Sequence, residues 1–262
     1  MSTLSAVYGI VARDLLRTVR QKGRLLGGIA RPFMWLLLVG TGFNAIVRVG
    51  GGVSYQEFVY PGIVVMAALF GAMLMAISTV YDREFGVLRL MLASPAGVPA
   101  VLTGRVLAAA LVGLMQGAVV LAMAPLFLTV SPGRMLAAVG ALALGSVVSS
   151  VLGLLVAARL RSVENFAGVI NVVLFPLLFV SGALYPTTEM PPALRSLARI
   201  NPVTYQVDLM RHALGQGAEF SAATDVFVLI PAAVVLFVAA SLLFDPEQRF
   251  TGRRNRDRNQ SA

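Results

Sequence analysis

The chain has no cysteine, one histidine and one lysine among its 262 residues. Without cysteine it can form neither a disulfide nor a thiolate metal site. The single histidine, His212, excludes a histidine cluster and with it most zinc and copper enzymes, so we predict no metal site. The lysine of a P-loop follows a glycine and precedes a serine or threonine. Lys22 lies between Gln21 and Gly23, which excludes ATP hydrolysis by that route.

Acidic residues are also scarce, with 12 aspartates and glutamates against 21 lysines and arginines. They form no recognisable catalytic arrangement, and we interpret each candidate as a solvated charge or a helix-end residue. We therefore predict no catalytic residue and no enzyme activity of the chain by itself. The candidate acids are Glu57, Asp82, Glu84, Glu164, Glu189, Asp208, Glu219, Asp225, Asp245 and Glu247.

Charge is missing altogether from six long apolar runs. A helix that crosses a hydrocarbon core about 30 Å thick needs about 20 apolar residues, and in lipid its backbone groups must bond within the helix. The first run has 16 such residues and is completed by its flanks. We predict an all-α membrane protein with a single transmembrane domain over 1–262 and a cytoplasmic tail over 245–262. The predicted spans are about 30–48, 58–80, 106–130, 135–158, 166–184 and 226–244.

The net charge of +9 is distributed unevenly around these spans. With the N-terminus inside, 16 of the 21 basic residues lie on the inner side of the membrane, as the positive-inside rule requires. The pattern predicts a multi-pass protein with both termini in the cytoplasm. We attribute the basic charge to membrane topology, and we expect membrane lipid but no nucleic acid as a partner.

Two segments on the inner side have helical periodicity. Residues 4–20 place apolar side chains on one face and arginines on the other, which is typical of a helix lying in the membrane interface. Glycines at 23, 27 and 28 are predicted to hinge this helix into the first span. Residues 82–95 form the longest inner connection, and we predict a short amphipathic helix there. Its apolar positions are Phe85, Leu88, Met91 and Leu92.

The outer connection between the fifth and sixth spans, residues 185–225, is predicted to hold two short helices that dip into the membrane face. Asn201 can cap the second of these helices, Pro202 suits its first position, and Gly215 can end it. Small residues within two spans predict close helix packing in lipid. They are Gly113 and Gly117 in the third span, and Ala141, Gly145, Ser149 and Gly153 at intervals of four in the fourth.

Two groups of residues resemble the signatures of ABC-2 type permeases, the membrane subunits of ABC exporters. Two positions depart from that pattern: an acidic residue is common at the position of Leu90, and a lysine is common at the position of Arg105. Within that family the chain resembles the daunorubicin-resistance type, with nodulation-factor and O-antigen exporters as relatives. The first group is Asp82, Arg83, Glu84, Phe85, Gly86, Leu88, Arg89, Met91, Leu92, Ser94 and Pro95, and Tyr60, Pro61 and Gly62 match as well. The second is Phe175, Pro176, residues 181–186, Met190, Pro191, Pro192, residues 201–205 and Arg211.

The resemblance implies half of a transporter in a bacterial plasma (inner) membrane. Two permease subunits, as a homodimer or heterodimer, would enclose the pathway, and separate ABC ATPase subunits would hold ATP and Mg²⁺, so that this chain binds no cofactor. The N-terminal helix would act as an interfacial gate. The ATPase-coupling helix would comprise Arg83, Glu84, Phe85, Gly86, Leu88, Arg89, Met91, Leu92, Ser94 and Pro95, and the outer gate Tyr185, Pro186, Asn201, Pro202, Tyr205 and Arg211.

By analogy with the family, the expected cargo is a hydrophobic drug-like molecule, a lipid or a lipid-linked glycan. No substrate-binding residue can be named from the sequence. Three alternatives stay open: an ion-coupled secondary transporter or channel, a membrane-embedded enzyme, and an assembly factor that transports nothing. The absence of charge inside the six runs disfavours an ion-coupled carrier, because such carriers usually place ionisable groups within the membrane.

Overall fold

The structure is a computed structural model, which describes residues 3–44, 53–92, 96–160 and 162–244. Within these ranges the chain is helical and forms no strand. Short 3₁₀ turns at Ala124–Leu126 and Thr187–Glu189 lie between helices, and a π-helical turn, Trp35–Gly40, joins α2 to α3. The α-helices are α1 Thr3–Arg20, α2 Lys22–Met34, α3 Thr41–Asn44, α4 Tyr55–Glu84, α5 Val87–Leu92, α6 Gly97–Leu121, α7 Pro132–Arg159, α8 Val163–Val180, α9 Pro192–Ile200, α10 Pro202–Leu214 and α11 Ala222–Phe244.

Six helical segments of the described chain are long and apolar enough to cross a membrane, which confirms the predicted all-α membrane fold. Two of them extend well beyond the charge-free runs, since α4 continues through Glu84 and α6 begins before Arg105. Residues 45–48 of the predicted first span and the predicted tail at 245–262 lie outside the described residues. The segments are Leu25–Phe43, Tyr55–Glu84, Gly97–Leu126, Pro132–Arg159, Val163–Val180 and Ala222–Phe244.

Helix α4 lies at the centre of the bundle. It packs against α2, α6, α7, α8 and α10, and residues 59–73 are all buried. The first span, α8 and α11 lie at the periphery, where Leu38, Val172 and Phe227 expose 67%, 74% and 78% of their surfaces. Exposed apolar side chains on a membrane helix suit lipid or another apolar helix. The fold is therefore a central helix enclosed by partners, with apolar helices around it.

Glycines bring α4 and α6 into close contact. A Cβ placed on Gly71 would lie 2.9 Å from the Cα of Gly113, and one on Gly113 would lie 2.8 Å from the carbonyl oxygen of Ala68. Side-chain atoms do not approach backbone so closely, so only glycine permits this helix spacing.

The bundle has two ends, which we name after the short helices that they carry. The α1 end contains α1, α5, the last turn of α4 and the first turns of α6. The α10 end contains α9, α10 and the first turns of α4 and α11.

Helix α1 packs against α6 through a face that combines polar Asp14 and Thr18 with apolar Ile10 and Leu15. Asp14 and Thr18 are its buried residues, whereas Leu4 and Tyr8 are 80% and 76% exposed. This is the reverse of a soluble surface helix, and it suits a helix whose outer face meets lipid. The predicted glycine hinge is wrong: the chain turns at Gln21, with φ −91° and ψ 62°, and the glycines at 23, 27 and 28 lie within α2. Consecutive helical hydrogen bonds are compatible with glycine, so its presence alone does not fix a hinge.

Candidate functional site

The last turn of α4 carries a buried carboxylate, Asp82, which is 3% exposed. It accepts hydrogen bonds from Arg13 Nη2 at 2.5 Å and Arg17 Nη1 at 3.1 Å, and it pairs with Arg105 of α6. The Asp14 carboxylate, 1% exposed, lies 3.1 Å from Arg13 Nε and 3.2 Å from Arg105 Nη1. We call Arg13, Asp14, Arg17, Asp82 and Arg105 the charge cluster. It joins α1, α4 and α6.

The charges of the cluster offset one another. An ion removed from water costs several kcal/mol unless it is paired and hydrogen-bonded. The side chain of Arg105 is 2% exposed and meets two carboxylates, whereas Arg13 and Arg17 keep 39% and 32% of their side-chain surfaces in contact with solvent. Burial lowers the pKa of Arg13, but Asp14 and Asp82 outweigh it, and the net direction is upward. Arg13 therefore stays protonated at physiological pH and keeps its ion pairs.

The two residues after Asp82 contact the remaining helices at this end. Arg83 Nη1 donates to the carbonyl oxygens of Ala157, Ala158 and Leu160, each at 2.9 Å, where α7 ends. The Arg83 guanidinium also lies 4.7 Å from the ring centre of Phe244 in α11. The last carbonyls of a helix lack intrahelical donors and carry partial negative charge, so a guanidinium stabilises them.

Glu84 acts in the opposite sense at the start of α8. Its Oε2 accepts a hydrogen bond at 3.0 Å from the backbone N–H of Val163, and Val163 is the first residue of that helix. Helix N-termini present unbonded N–H groups that favour an anion. Three consecutive residues of α4 thus contact α1, α6, α7, α8 and α11.

Beyond this turn the chain reverses at Gly86, whose φ of +76° favours glycine, and forms α5. Leu88 is fully buried, and Met91 Sδ receives contacts from Arg13 Nη1 at 3.4 Å and Arg105 Nη2 at 3.3 Å. Helix α5 is therefore held against the charge cluster. Leu90 within α5 and Phe85 in the turn before it are 77% and 62% exposed.

The structure differs here from the helix predicted over 82–95. Arg83 and Glu84 belong to α4, α5 has only six residues, and Ser94 and Pro95 lie outside the described residues. The predicted apolar stripe included Phe85, which is exposed, because the reversal at Gly86 changes the helical phase between Phe85 and Leu88.

The interpretation of the acids as solvated charges or helix-end residues is wrong for Asp208, which lies buried in the middle of α10, whereas Asp82 and Asp225 do lie in helix-end turns but are buried there. Asp82, Asp208 and Asp225 are 3%, 3% and 0% exposed. The sequence prediction also missed Asp14 and Arg105 as members of one site. The sequence did offer one signal for Asp14, because it is the one acid among the arginines of the amphipathic helix over residues 4–20. A carboxylate on a helix face that becomes buried needs a cationic partner.

Comparison with known proteins identifies the family. Residues 5–214, most of the chain, match the ABC-2 type transporter family. The chain belongs to that family. It is 27% identical over 226 residues to nodulation protein J of Rhizobium leguminosarum bv. trifolii, covering 84% of this chain and 85% of the relative. It is 30% identical over 216 residues to the ycf38 transport permease of Porphyra purpurea, covering 80% and 74%.

A further nodulation protein J, from Azorhizobium caulinodans, is 27% identical and covers 93% of this chain and 96% of its own length. The comparisons confirm the resemblance to ABC-2 type permeases that the sequence showed. This ABC-2 chain is thus a multi-pass transport permease, and permeases of its family lack an ATP site and work with ABC ATPase subunits. The charge cluster and α5 both lie within the matched residues.

At the α10 end of this permease, four of the six residues predicted as an outer gate belong to α10 or to its N-cap. Asn201 caps the helix, Pro202 is its first residue, and Gly215 ends it with φ +78°, as predicted. The hydroxyl of Tyr205 donates to the carbonyl oxygen of Arg199 at 2.7 Å. Tyr185 and Pro186 lie in the turn before the 3₁₀ segment and are partly buried.

Arg211 connects α10 to the two neighbouring spans. Its Nη2 donates to the carbonyl oxygen of Gly182 at 2.7 Å, and its guanidinium lies 4.3 Å from the ring centre of Phe58. Burial lowers the pKa of Arg211 to about 10, although Asp208 and Glu219 act in the opposite direction. The guanidinium therefore stays charged at neutral pH, and it holds the start of α4 near the end of α8.

Replacing Asn201 with alanine is expected to destabilise this end by about 0.5–2 kcal/mol, the usual range for a lost N-cap. Asn201 Oδ1 accepts the Val203 N–H at 3.0 Å, and Nδ2 donates to the Leu177 carbonyl oxygen at 2.7 Å. Thermal unfolding of the purified chain measures the loss. Ser131→Ala is the control, because the capping hydrogen bond from the Arg134 N–H to Ser131 Oγ is exposed and long, at 3.4 Å. Equal losses for both variants would contradict this assignment.

The small residues predicted to pack lie at several helix contacts. A Cβ on Gly117 would lie 2.5 Å from Leu142 Cδ1, and one on Gly153 would lie 3.2 Å from Ala76 Cβ. Ser149 Oγ donates to Gln206 Oε1 at 3.1 Å, next to Gly145. Helix α7 therefore approaches both α4 and α10 along this series.

Proposed function

We propose that this chain is the membrane-spanning subunit of an ATP-driven exporter. It forms the translocation pathway together with a second permease subunit and is moved by separate ABC ATPase subunits. One observation carries the proposal: the Asp82–Arg83–Glu84 turn contacts five other helices and is followed at once by the exposed α5 surface. A force applied to α5 at this place would reach the whole α1 end.

The proposed ATPase contact consists of Phe85, Arg89 and Leu90. All three are exposed, while Leu88 and Leu92 anchor α5 to the bundle at 0% and 6% exposure. Aromatic residues and arginine are enriched at protein interfaces, and an exposed leucine gains by being covered. Four other predicted coupling residues do not touch the ATPase in this proposal and instead fix the orientation of α5. They are Arg83, Glu84, Gly86 and Met91.

The charge cluster transmits motion in this scheme. Cytoplasmic ATP binding can shift the permease only through contacts that differ between its two states. Met91 contacts both Arg13 and Arg105, so a displacement of α5 changes the environment of the ion pairs that hold α1 to α6. Helix α1 then acts as the interfacial gate helix, with its apolar face in the membrane surface.

The proposed orientation puts the α1 end in the cytoplasm of a bacterium, with the permease in the plasma membrane. The excess of basic residues at the α1 end supports this orientation. The α10 end, including Tyr185, Pro186 and Arg211, then closes the pathway on the outside. A hydrophobic or amphipathic cargo suits the apolar, exposed surfaces of the first span and α8.

Substitution of the α5 surface tests the proposal. Leu90→Ser and Phe85→Ala are expected to weaken capture of the ABC ATPase co-expressed with the permease by about tenfold or more. A single interface hot spot contributes 2 kcal/mol or more, and transport into inverted vesicles should fall in parallel. Ile200→Ser is the matched control, because Ile200 is 81% exposed on α9 at the other end of the molecule.

Thermal unfolding of each variant shows whether the fold is retained. If Leu90→Ser and Phe85→Ala keep normal ATPase capture and transport, α5 is not the contact. If the purified permease pumps cargo in liposomes without any ATPase, an ion-coupled carrier replaces the exporter.

A further inference from the structure

Three ligand-type side chains meet at the α10 end, away from the charge cluster and from α5. Asp208 and His212 lie four residues apart on one face of α10, and Asp225 lies in the first turn of α11 opposite them. One donor atom from each of the three side chains lies within 4.8 Å of the other two. The three donor atoms are near enough for small side-chain movements to bring them around one cation.

Asp225 gives a second and independent indication. The residue is 0% exposed, and neither carboxylate oxygen has a hydrogen-bond partner. Among the described residues, no arginine, lysine or histidine forms an ion pair with it. A buried carboxylate without partners is costly, and the neighbouring Asp208 adds a second acidic group. A divalent cation between the two carboxylates would satisfy both.

The surrounding backbone orients the other two side chains. The Asp208 oxygens accept the N–H groups of Glu219 and Phe220, both at 2.8 Å, and each oxygen keeps a further lone pair. His212 Nε2 lies 2.5 Å from the carbonyl oxygen of Phe220. A carbonyl oxygen only accepts, so Nε2 carries the proton and the neutral ring has its lone pair on Nδ1. Histidines that bind metals commonly donate their other N–H to a carbonyl in this way.

The site also has a route from solvent. His212 is exposed and lines a groove of about 370 Å³ together with Leu209, Ala222 and Val226. We propose that Asp208, His212 and Asp225 bind a divalent transition-metal cation, for which Zn²⁺ is the best match. Imidazole with carboxylates suits zinc, whereas Mg²⁺ and Ca²⁺ prefer oxygen ligands alone. The bound ion would fasten α10 to the first turn of α11. Asp225 lies beyond the residues 5–214 that match the family, so the family assignment does not depend on this site.

Metal titration of the purified full chain in detergent tests the site without any transport assay. After treatment with a chelator, the wild-type protein is expected to bind Zn²⁺ stoichiometrically by calorimetry and to give a Co²⁺ absorption spectrum. Zn²⁺ should also raise its unfolding temperature. His212→Gln and Asp225→Asn are expected to weaken binding by about tenfold or more, since even an outer-shell change costs about 10–100-fold.

Glu189→Gln is the matched control, because Glu189 is an exposed acid at the same end and is not a member of the site. His212 is exposed, so its variant should fold even if Asp225→Asn does not. Wild-type protein that binds neither Zn²⁺ nor Co²⁺ stoichiometrically would overturn the proposal, and so would a folded His212→Gln protein that binds as tightly as wild type. Asp225 would then be a buried, protonated carboxyl group.

Discussion

The Asp82→Asn variant is expected to lose about 3–5 kcal/mol of folding free energy, the range measured when one partner of a buried ion pair is removed. Asparagine keeps the shape of the side chain but not its charge. Arg105, with 2% of its side chain exposed, would retain Asp14 as its one anionic partner among the described residues, and Arg13 and Arg17 would each lose an ion pair. The loss is measured by thermal unfolding of the purified chain, and the amount of permease in membranes should fall accordingly.

Glu164→Gln is the control for this change, because Glu164 is exposed near the same end of the bundle. The double variant Asp82→Asn/Arg105→Gln should lose less than the sum of the two single variants, since it removes two opposite charges together. Contacting pairs typically show interaction energies of about 0.5–3 kcal/mol. An Asp82→Asn protein that melts at the wild-type temperature, or single losses that simply add, would show that the cluster does not hold the helices together.

Replacing Gly113 with leucine is expected to cost about 3 kcal/mol, the upper part of the range for an overpacked core. The new Cβ would lie 2.8 Å from the Ala68 carbonyl oxygen and 3.6 Å from Ala72 Cβ. The nearest atom belongs to backbone, so α4 and α6 would have to separate along their contact. A lower unfolding temperature and a broader elution in size-exclusion chromatography would report that separation.

Gly140→Leu provides the comparison, because Gly140 lies in a membrane helix and a Cβ there would meet nothing within 4 Å. This variant should match or exceed the wild type in stability, since glycine within a helix costs about 1 kcal/mol relative to alanine. If both leucine variants unfold at the same temperature, the close approach of α4 and α6 is not what stabilises the bundle.

The spans of this permease could be predicted because a bilayer imposes the same demand on every crossing helix. Uniform apolarity over about 20 residues is a local property and needs no knowledge of neighbours. The ends of α10 were predictable for the same reason, since Asn201, Pro202 and Gly215 act within their own turns.

The charge cluster could not be predicted in this way. Asp82 is 69 residues from Arg13 and 65 from Arg17, and charge alone does not name a partner at such distances. Before the fold is known, an acid at the end of an apolar run is equally compatible with solvent. The sequence also did not show which residues near α5 face the bundle. The positive φ at Gly86 interrupts the helical periodicity that we assumed to continue through residues 82–95.

The enclosure of α4 has a consequence for how this permease can diversify. Because residues 59–73 are buried within the chain, their side chains pack against other helices, and substitutions that change their size are expected to lower the stability of the bundle. The outward surfaces of the first span and α8 carry no such constraint. Substitutions on the outward surfaces of these peripheral helices are therefore expected to be tolerated more easily than substitutions in the central helix.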